Sequence, residues 1–222
     1  MRSDTPGGMT GGATDGLPSG AASGEGSDEP ARERILEAAA RLFAALGYDG
    51  TSTRLIAEAA GLNVATVAYH VGGKRDLYLA VMERAHRAER AALERALADF
   101  TPDAAGVHRL VDRYLDFCVE RPEIPALWMH RWLSDAADIA HLESRYVRPL
   151  LDEIGERVRG AVGDDVDVDF AVATVIWCTH GFGTGGVLDA EGRRRGLDDP
   201  RAVARFRAHL HRLVAAMLRL PE

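Results

Sequence analysis

The chain has 222 residues, of which 46% are apolar, and a formal net charge of −7 at neutral pH, enough length for one large domain or two small ones around a buried core. Residues 1–30 are dominated by Gly, Ser, Ala, Thr, Asp and Pro without apolar periodicity and read as a disordered tail, in which Met9 offers a second start. The tail lacks the basic-then-apolar order of a secretory signal and no later apolar run reaches membrane-spanning length, so a cytoplasmic protein with no membrane partner is expected.

From Ser27 the pattern turns helical. Ser27 or Asp28 can cap, Pro30 suits a first turn, and Ile35, Leu36, Ala39, Leu42 and Phe43 recur on one face until Gly47 ends the helix. Thr51 or Ser52 can accept from the free amides of a second helix, whose apolar Leu55, Ile56 and Ala60 lead into Gly61. A third short helix starts at the good cap Asn63, would bury Val64, Val67 and Val71, and breaks at Gly72-Gly73. Lys74 to Phe100 reads as one long helix with Leu77, Val81, Ala85, Ala88 and Ala92 along a seam. Further amphipathic helices are expected at about 104–120, 123–136, 138–162, 167–188 and 200–219, with a break at Pro149 because that residue cannot bond the Arg145 carbonyl. No convincing strand is found, and the fold class is all-α: an N-terminal three-helix domain with a helix-turn-helix over 31–78, then a helical-bundle domain over 79–222.

The chemistry of the first domain lies in Ile56-Ala57-Glu58-Ala59-Ala60-Gly61-Leu62-Asn63-Val64. Small Ala57 and Ala60 let two short helices cross closely, Gly61 permits the turn, and the second helix exposes Asn63, Ala65, Thr66, Tyr69 and His70. Ala and Thr methyls can meet thymine methyls, Asn and His can bond base edges, and a Tyr hydroxyl can reach a phosphate. A tight helical hairpin inside an ordinary bundle would share these features. Charge is consistent with DNA binding: the tail carries one basic residue against five acidic and residues 91–222 carry 17 against 22, whereas residues 31–90 carry nine against seven.

The run from Arg34 to Val81, about a quarter of the chain, closely resembles the DNA-binding domain of TetR-family regulators. Its landmarks are Leu42-Phe43, Gly47-Tyr48, Thr51, Ile56-Ala57 to Gly61, Tyr69-His70 and Lys74 with Leu77. Val71 stands where the family usually has Phe, and Gly73 where Ser is commoner. The resemblance implies that the second short helix enters the major groove, that Thr51, Thr53, Arg54, Tyr69 and Lys74 touch backbone phosphates, and that the other exposed residues read bases. Lys74, the sole lysine, stands at a helix start where free amides also favour a phosphate. It further implies a twofold homodimer whose final two helices form an intersubunit four-helix bundle, double-stranded operator DNA as partner, and a small-molecule inducer that releases a repressor.

The second half is read on its own chemistry. Val203, Phe206, Leu210, Leu213, Met217 and Leu220 form a narrow heptad seam, and Gly181, Gly183, Gly185 and Gly186 would allow close helix approach. The first five of the seam are the expected dimer interface, with an intramolecular seam as the alternative. Tyr114, Phe117, Trp128, Met129, Trp132, Tyr146, Trp177 and His180 gather large rings with few polar handles, which suits a pocket for a lipophilic, mostly uncharged ligand among Trp128, Trp132 and Trp177; a helical core needs the same residues. Cys118 and Cys178 lack metal-ligand spacing and read as buried thiols. No cofactor or metal is expected, since His130, His141 and His180 would have to converge from separate helices. An enzyme built on His180, Ser134 and Asp135 has no nucleophile elbow, HExxH or phosphate loop to support it, and a purely structural helical protein is the remaining rival.

Overall fold

The computed structural model describes residues 25–133 and 136–220, with side chains from Glu29 onward. Within these, α1 spans Glu25–Gly50, α2 Thr53–Ala60, α3 Val64–Val71, α4 Lys74–Ala98, α5 Ala104–Glu120, α6 Glu123–Trp132, α7 Arg148–Arg159, α8 Val168–Gly185 and α9 Pro200–Leu218. The all-α architecture follows the apolar periodicity, but several boundaries move. α1 begins at Glu25, so Ser27 and Asp28 lie inside the helix instead of capping it, and residues 25–30 are helical, not part of a structureless tail. Gly47 breaks α1 with φ +74°, and a last turn carries the chain on to Gly50. α6 stops at Trp132, and the next helical turn begins only at Glu143, a π-helical turn ending at Val147. Ala136 and His141 between them take left-handed backbone conformations, incompatible with the continuous helices expected over 123–136 and 138–162. Pro149 sits at the start of α7, directly after the π-helical turn and with helical backbone at Val147 and Arg148, so its missing N–H falls where the spacing changes from π to α.

A small hairpin was not legible. β1 Val187–Leu188 pairs antiparallel with β2 Arg194–Arg195. Two residues per strand leave no alternation to read. The turn is held instead by Asp189, whose carboxylate accepts from Glu191 N (3.1 Å), Arg193 N (2.8 Å), Arg193 Nε (3.0 Å) and Arg195 Nε (3.0 Å).

Two apolar cores stack along α4 and α5. The first joins Ile35, Phe43, Ile56, Val67, Leu77 and Met82 of α1–α4 to Phe117, Ile124, Leu127, Trp128 and Tyr146. The expected boundary at 78/79 is therefore no gap in packing: the N-terminal helices share a core with α5, α6 and the π-turn. An Arg84–Glu33 ion pair (2.6 Å) and a His130 Nε2 to Ala44 carbonyl bond (3.1 Å) cross the same junction. The second core joins Leu97, Val107, Leu110, Val111, Leu115, Val158 and Val168 to Leu210, Val214 and Leu218 of α9. Leu210 is completely buried within its own subunit. Leu210 is therefore not free to contact a partner as the expected dimer interface requires, whereas Val203, Phe206, Leu213 and Met217 pack only partly buried against this core, with Phe206 stacked on Phe182 at 4.3 Å. No helix among the described residues is long and apolar enough to cross a membrane.

Candidate nucleic-acid interface and ligand cavity

The first site is the α2–turn–α3 unit. Ser52 caps α2 by accepting from Leu55 N at 3.2 Å, leaving Thr51 for another task. Gly61 takes φ +68°, a left-handed conformation that a side chain would strain, and returns Leu62 N to the Ala57 carbonyl at 2.9 Å, closing the turn. Asn63 caps α3 through Oδ1, which accepts from both Thr66 N (2.8 Å) and Thr66 Oγ1 (3.0 Å). Only Val67 of the three valines is fully buried; Val64, in the first turn of α3, is 45% exposed and Val71 partly buried. Gly72 has φ +73° and hands the chain to α4, where Gly73 N donates to Asp76 Oδ2 at 3.1 Å. The cap lost with the absent serine hydroxyl is thus half retained.

Arg54, Asn63, Ala65 and Tyr69 are exposed, Tyr69 to 77%, while Thr53, Thr66, His70 and Lys74 are half-buried. Tyr69 meets the His70 ring edge-on at 5.1 Å. Lys74 Nζ stands 4.3 Å above the Tyr48 ring, which fixes the ammonium at the start of α4 by a cation–π contact. Thr51 does not share this surface. It is 2% exposed, and its hydroxyl donates to the Gly47 carbonyl at 2.7 Å, so it ties the broken end of α1 to α2 and cannot reach a phosphate in this conformation.

The second site is a cavity of about 140 Å³ between the two cores, with walls from α4 to α9. Tyr114, Phe117, Trp128, Trp132 and His180 line it together with Val107, Leu110, Leu151, Ile154, Val172, Val175 and Met217. Trp177 is not among them and is 54% exposed. At 100° per residue it lies a full step beyond the lining Ile176, on the outer face of α8 that it shares with exposed Phe170. Tyr146 stacks on His86 at 4.7 Å in the first core, and Met129 also lies outside the lining. Of the eight expected ligand residues, five meet around one space.

The polar content of this space is small. Tyr114 Oη lies 2.6 Å from His180 Nε2, and Trp132 stacks on the His180 ring at 5.0 Å. Burial lowers His180 to about 4, keeping the imidazole neutral. Glu89 of α4 also lines the cavity, accepting from Trp128 Nε1 at 2.9 Å. Burial pushes its carboxyl up to about 8 against the opposing pull of that N–H. Cys118, also buried, is raised to about 12, which makes its thiol inert. Glu89 was missed in the sequence, although a signal existed: an acid lying between Ala85, Ala88 and Ala92 on the seam of a helix that should bury them. His130, His141 and His180 do not converge, and no group of three potential ligands for a metal occurs among the described residues. Ser134 and Asp135 lie outside the described residues.

The structure thus places a helix-turn-helix at one end of the long helix α4 and a cavity-bearing helical bundle at the other. Residues 35–81 match the family described as bacterial regulatory proteins, tetR family. That match takes in the helix-turn-helix and the start of α4, and the rest of the chain lies outside it. The chain is 36% identical over 93 residues to the HTH-type transcriptional dual regulator CecR of Shigella flexneri, covering 37% of this chain and 40% of that protein. It is 29% identical over 131 residues to the HTH-type transcriptional regulator RutR of Escherichia coli K12, covering 59% of this chain and 61% of that protein. The chain thus spans less than two thirds of either relative. The crystal structure of the TetR-family regulator PfmR from Thermus thermophilus shares the fold, with a TM-score of 0.60 at 24% identity over 86% of this chain and 97% of that one.

Proposed function

We propose that this protein is a dimeric DNA-binding transcriptional regulator, acting as a repressor that a small lipophilic ligand releases from its operator. The observation that carries the reading is α3, which is anchored by Val67 and turns Asn63, Ala65, Tyr69 and, more shallowly, Thr66 and His70 outward, with Lys74 at the next helix start. Thr53, Arg54, Tyr69 and Lys74 then meet phosphates while Asn63, Ala65, Thr66 and His70 face base edges. Selection of bound duplexes from a random pool, followed by a screen for compounds that release them, tests both halves; a pool with no enriched sequence would reject specific regulation.

Lys74→Ala should weaken specific and non-specific binding alike and flatten the salt dependence by about one unit. An unchanged slope in fluorescence titrations would take Lys74 out of the interface. Asn63→Ser, which keeps a capping oxygen, should change sequence preference instead, and uniform loss over all operator variants would count against base reading.

Two such heads on a pseudo-palindromic operator need a twofold dimer. With Leu210 committed to the internal core, the pairing surface falls to the outer faces of α8 and α9, where Phe170 and Trp177 are exposed. Trp177→Asp should shift sedimentation from dimer to monomer at micromolar concentration without loss of helical signal. A dimer that survives it would place the pairing surface elsewhere.

Release requires that ligand and DNA favour different geometries, and reciprocity then makes each weaken the other by the same factor. α4 supplies a rigid route, because Lys74 at its start and the cavity-lining Glu89 are about 22 Å apart on one helix. Phe117 and Trp128 supply another, as both line the cavity and belong to the core that holds the head.

A further inference from the structure

We propose that the cavity selects a lipophilic monocation, with the Glu89 carboxylate as its counter-ion and the rings of Tyr114, Trp128 and Trp132 around it. The inference rests on the reading of this space as a ligand site and replaces the uncharged occupant expected from the sequence.

Glu89 projects from α4 into a lining made almost wholly of Ala, Val, Leu and Ile with aromatic rings. Among the described residues its carboxyl has one hydrogen-bond partner, Trp128 Nε1, and makes no ion pair with a basic side chain. The titratable groups facing it from the packed helices are Tyr114 and Cys118 of α5, both raised and therefore neutral, while α6 brings only the Trp128 indole. Across the cavity α8 brings His180, held neutral and engaged by Tyr114. Arg113 borders the space but is exposed to solvent.

Such a carboxyl has no internal charge to answer it, and burial accordingly keeps it protonated near neutrality. An apolar neutral occupant would leave that acid desolvated with nothing gained. An anion would meet repulsion whenever the acid ionised. A cation supplies the missing opposite charge and finds electron-rich ring faces beside it. The volume matches that of a cavity that holds one benzene-sized ring, so the occupant is a single ring or short chain with a compact cationic head. Binding of a permanent cation expels the Glu89 proton to solvent, one proton for one cation, leaving a carboxylate–cation pair.

The test uses the full chain with phenyltrimethylammonium and its neutral isostere tert-butylbenzene, which differ only in the charge at one atom. Tryptophan emission and calorimetry report binding. The parent protein should prefer the cation by at least tenfold at pH 8.5, with cation affinity rising roughly tenfold per unit of pH below about 8 and levelling above it. Calorimetry at pH 7 in buffers of different ionisation enthalpy should show close to one proton released. Glu89→Gln keeps an oxygen for Trp128 and should abolish the preference, the pH dependence and the proton release, while tert-butylbenzene binds as before. Proton release by the parent alone decides the matter if that variant does not fold. Equal affinity for the two compounds in the parent would overturn the cation proposal and leave the ligand site standing. Binding of neither would overturn both. A cation preference that persists in Glu89→Gln without proton release would place the charge recognition elsewhere and also overturn it.

Discussion

Leu210→Asp should unfold the subunit instead of splitting a dimer. Leu210 is fully buried against Leu97, Val107, Leu115 and Val214 in one chain, with no partner subunit needed to cover it. Leu210→Ala would remove the transfer free energy of three heavy atoms and leave a cavity, costing about 2–5 kcal/mol, with the oligomeric state retained. The aspartate adds the cost of an uncompensated buried charge, together a large part of the 5–15 kcal/mol that typically holds a domain. Denaturant unfolding followed by circular dichroism, at fixed protein concentration because association contributes to apparent stability, should show the alanine variant shifted and the aspartate variant without a cooperative transition. A well-folded Leu210→Asp monomer would mean that this side chain faces a partner after all. The contrast with Trp177→Asp separates the two sides of the α8–α9 layer: one variant should lose its fold, the other its partner.

Stability should fall as pH rises through neutrality, and Glu89 should be the cause. An acid whose folded-state pKa is raised binds its proton more tightly folded than unfolded. Its contribution is complete below the unfolded value of 4.5 and is withdrawn as pH climbs through about 8. Between pH 6.5 and 8.5 this amounts to about 2 kcal/mol. His180 acts in the opposite sense. Its folded pKa lies near 4, so it costs stability as pH falls below 6.5 and is nearly silent over the alkaline window. Glu89→Gln should therefore gain on the parent protein by about 2 kcal/mol from pH 6.5 to 8.5, read as the difference in unfolding free energy at fixed concentration. Parallel pH profiles for the two proteins would show that the carboxyl is already ionised in the folded state. The same substitution should also remove the pH dependence of cation binding, so stability and ligand affinity report the same proton.

Much of the head was legible because its determinants are local. Asn63 caps α3 through its own side chain, Gly61 is needed for a left-handed turn, and Ile35, Phe43, Ile56, Val67 and Leu77 recur at helical spacing, so the sequence alone determined the helices, their order and the helix-turn-helix. Thr51 shows the limit. A threonine before a helix reads as a cap or a phosphate contact, and only the return of the Gly47 carbonyl toward its hydroxyl, set by the break in α1, turned it inward. Tertiary packing decided the rest. The α9 seam has the same periodicity whether it meets a partner subunit or its own α5, and it is the position of α5 and α8 that commits Leu210 to the interior. Likewise Trp177 and Trp128 are equally apolar by composition, but helix rotation puts one outside and the other in the cavity wall. Glu89 became a site only when α5, α6 and α8 closed around it, since a carboxyl's proton affinity is set by the surroundings that replace water and not by its neighbours in the chain.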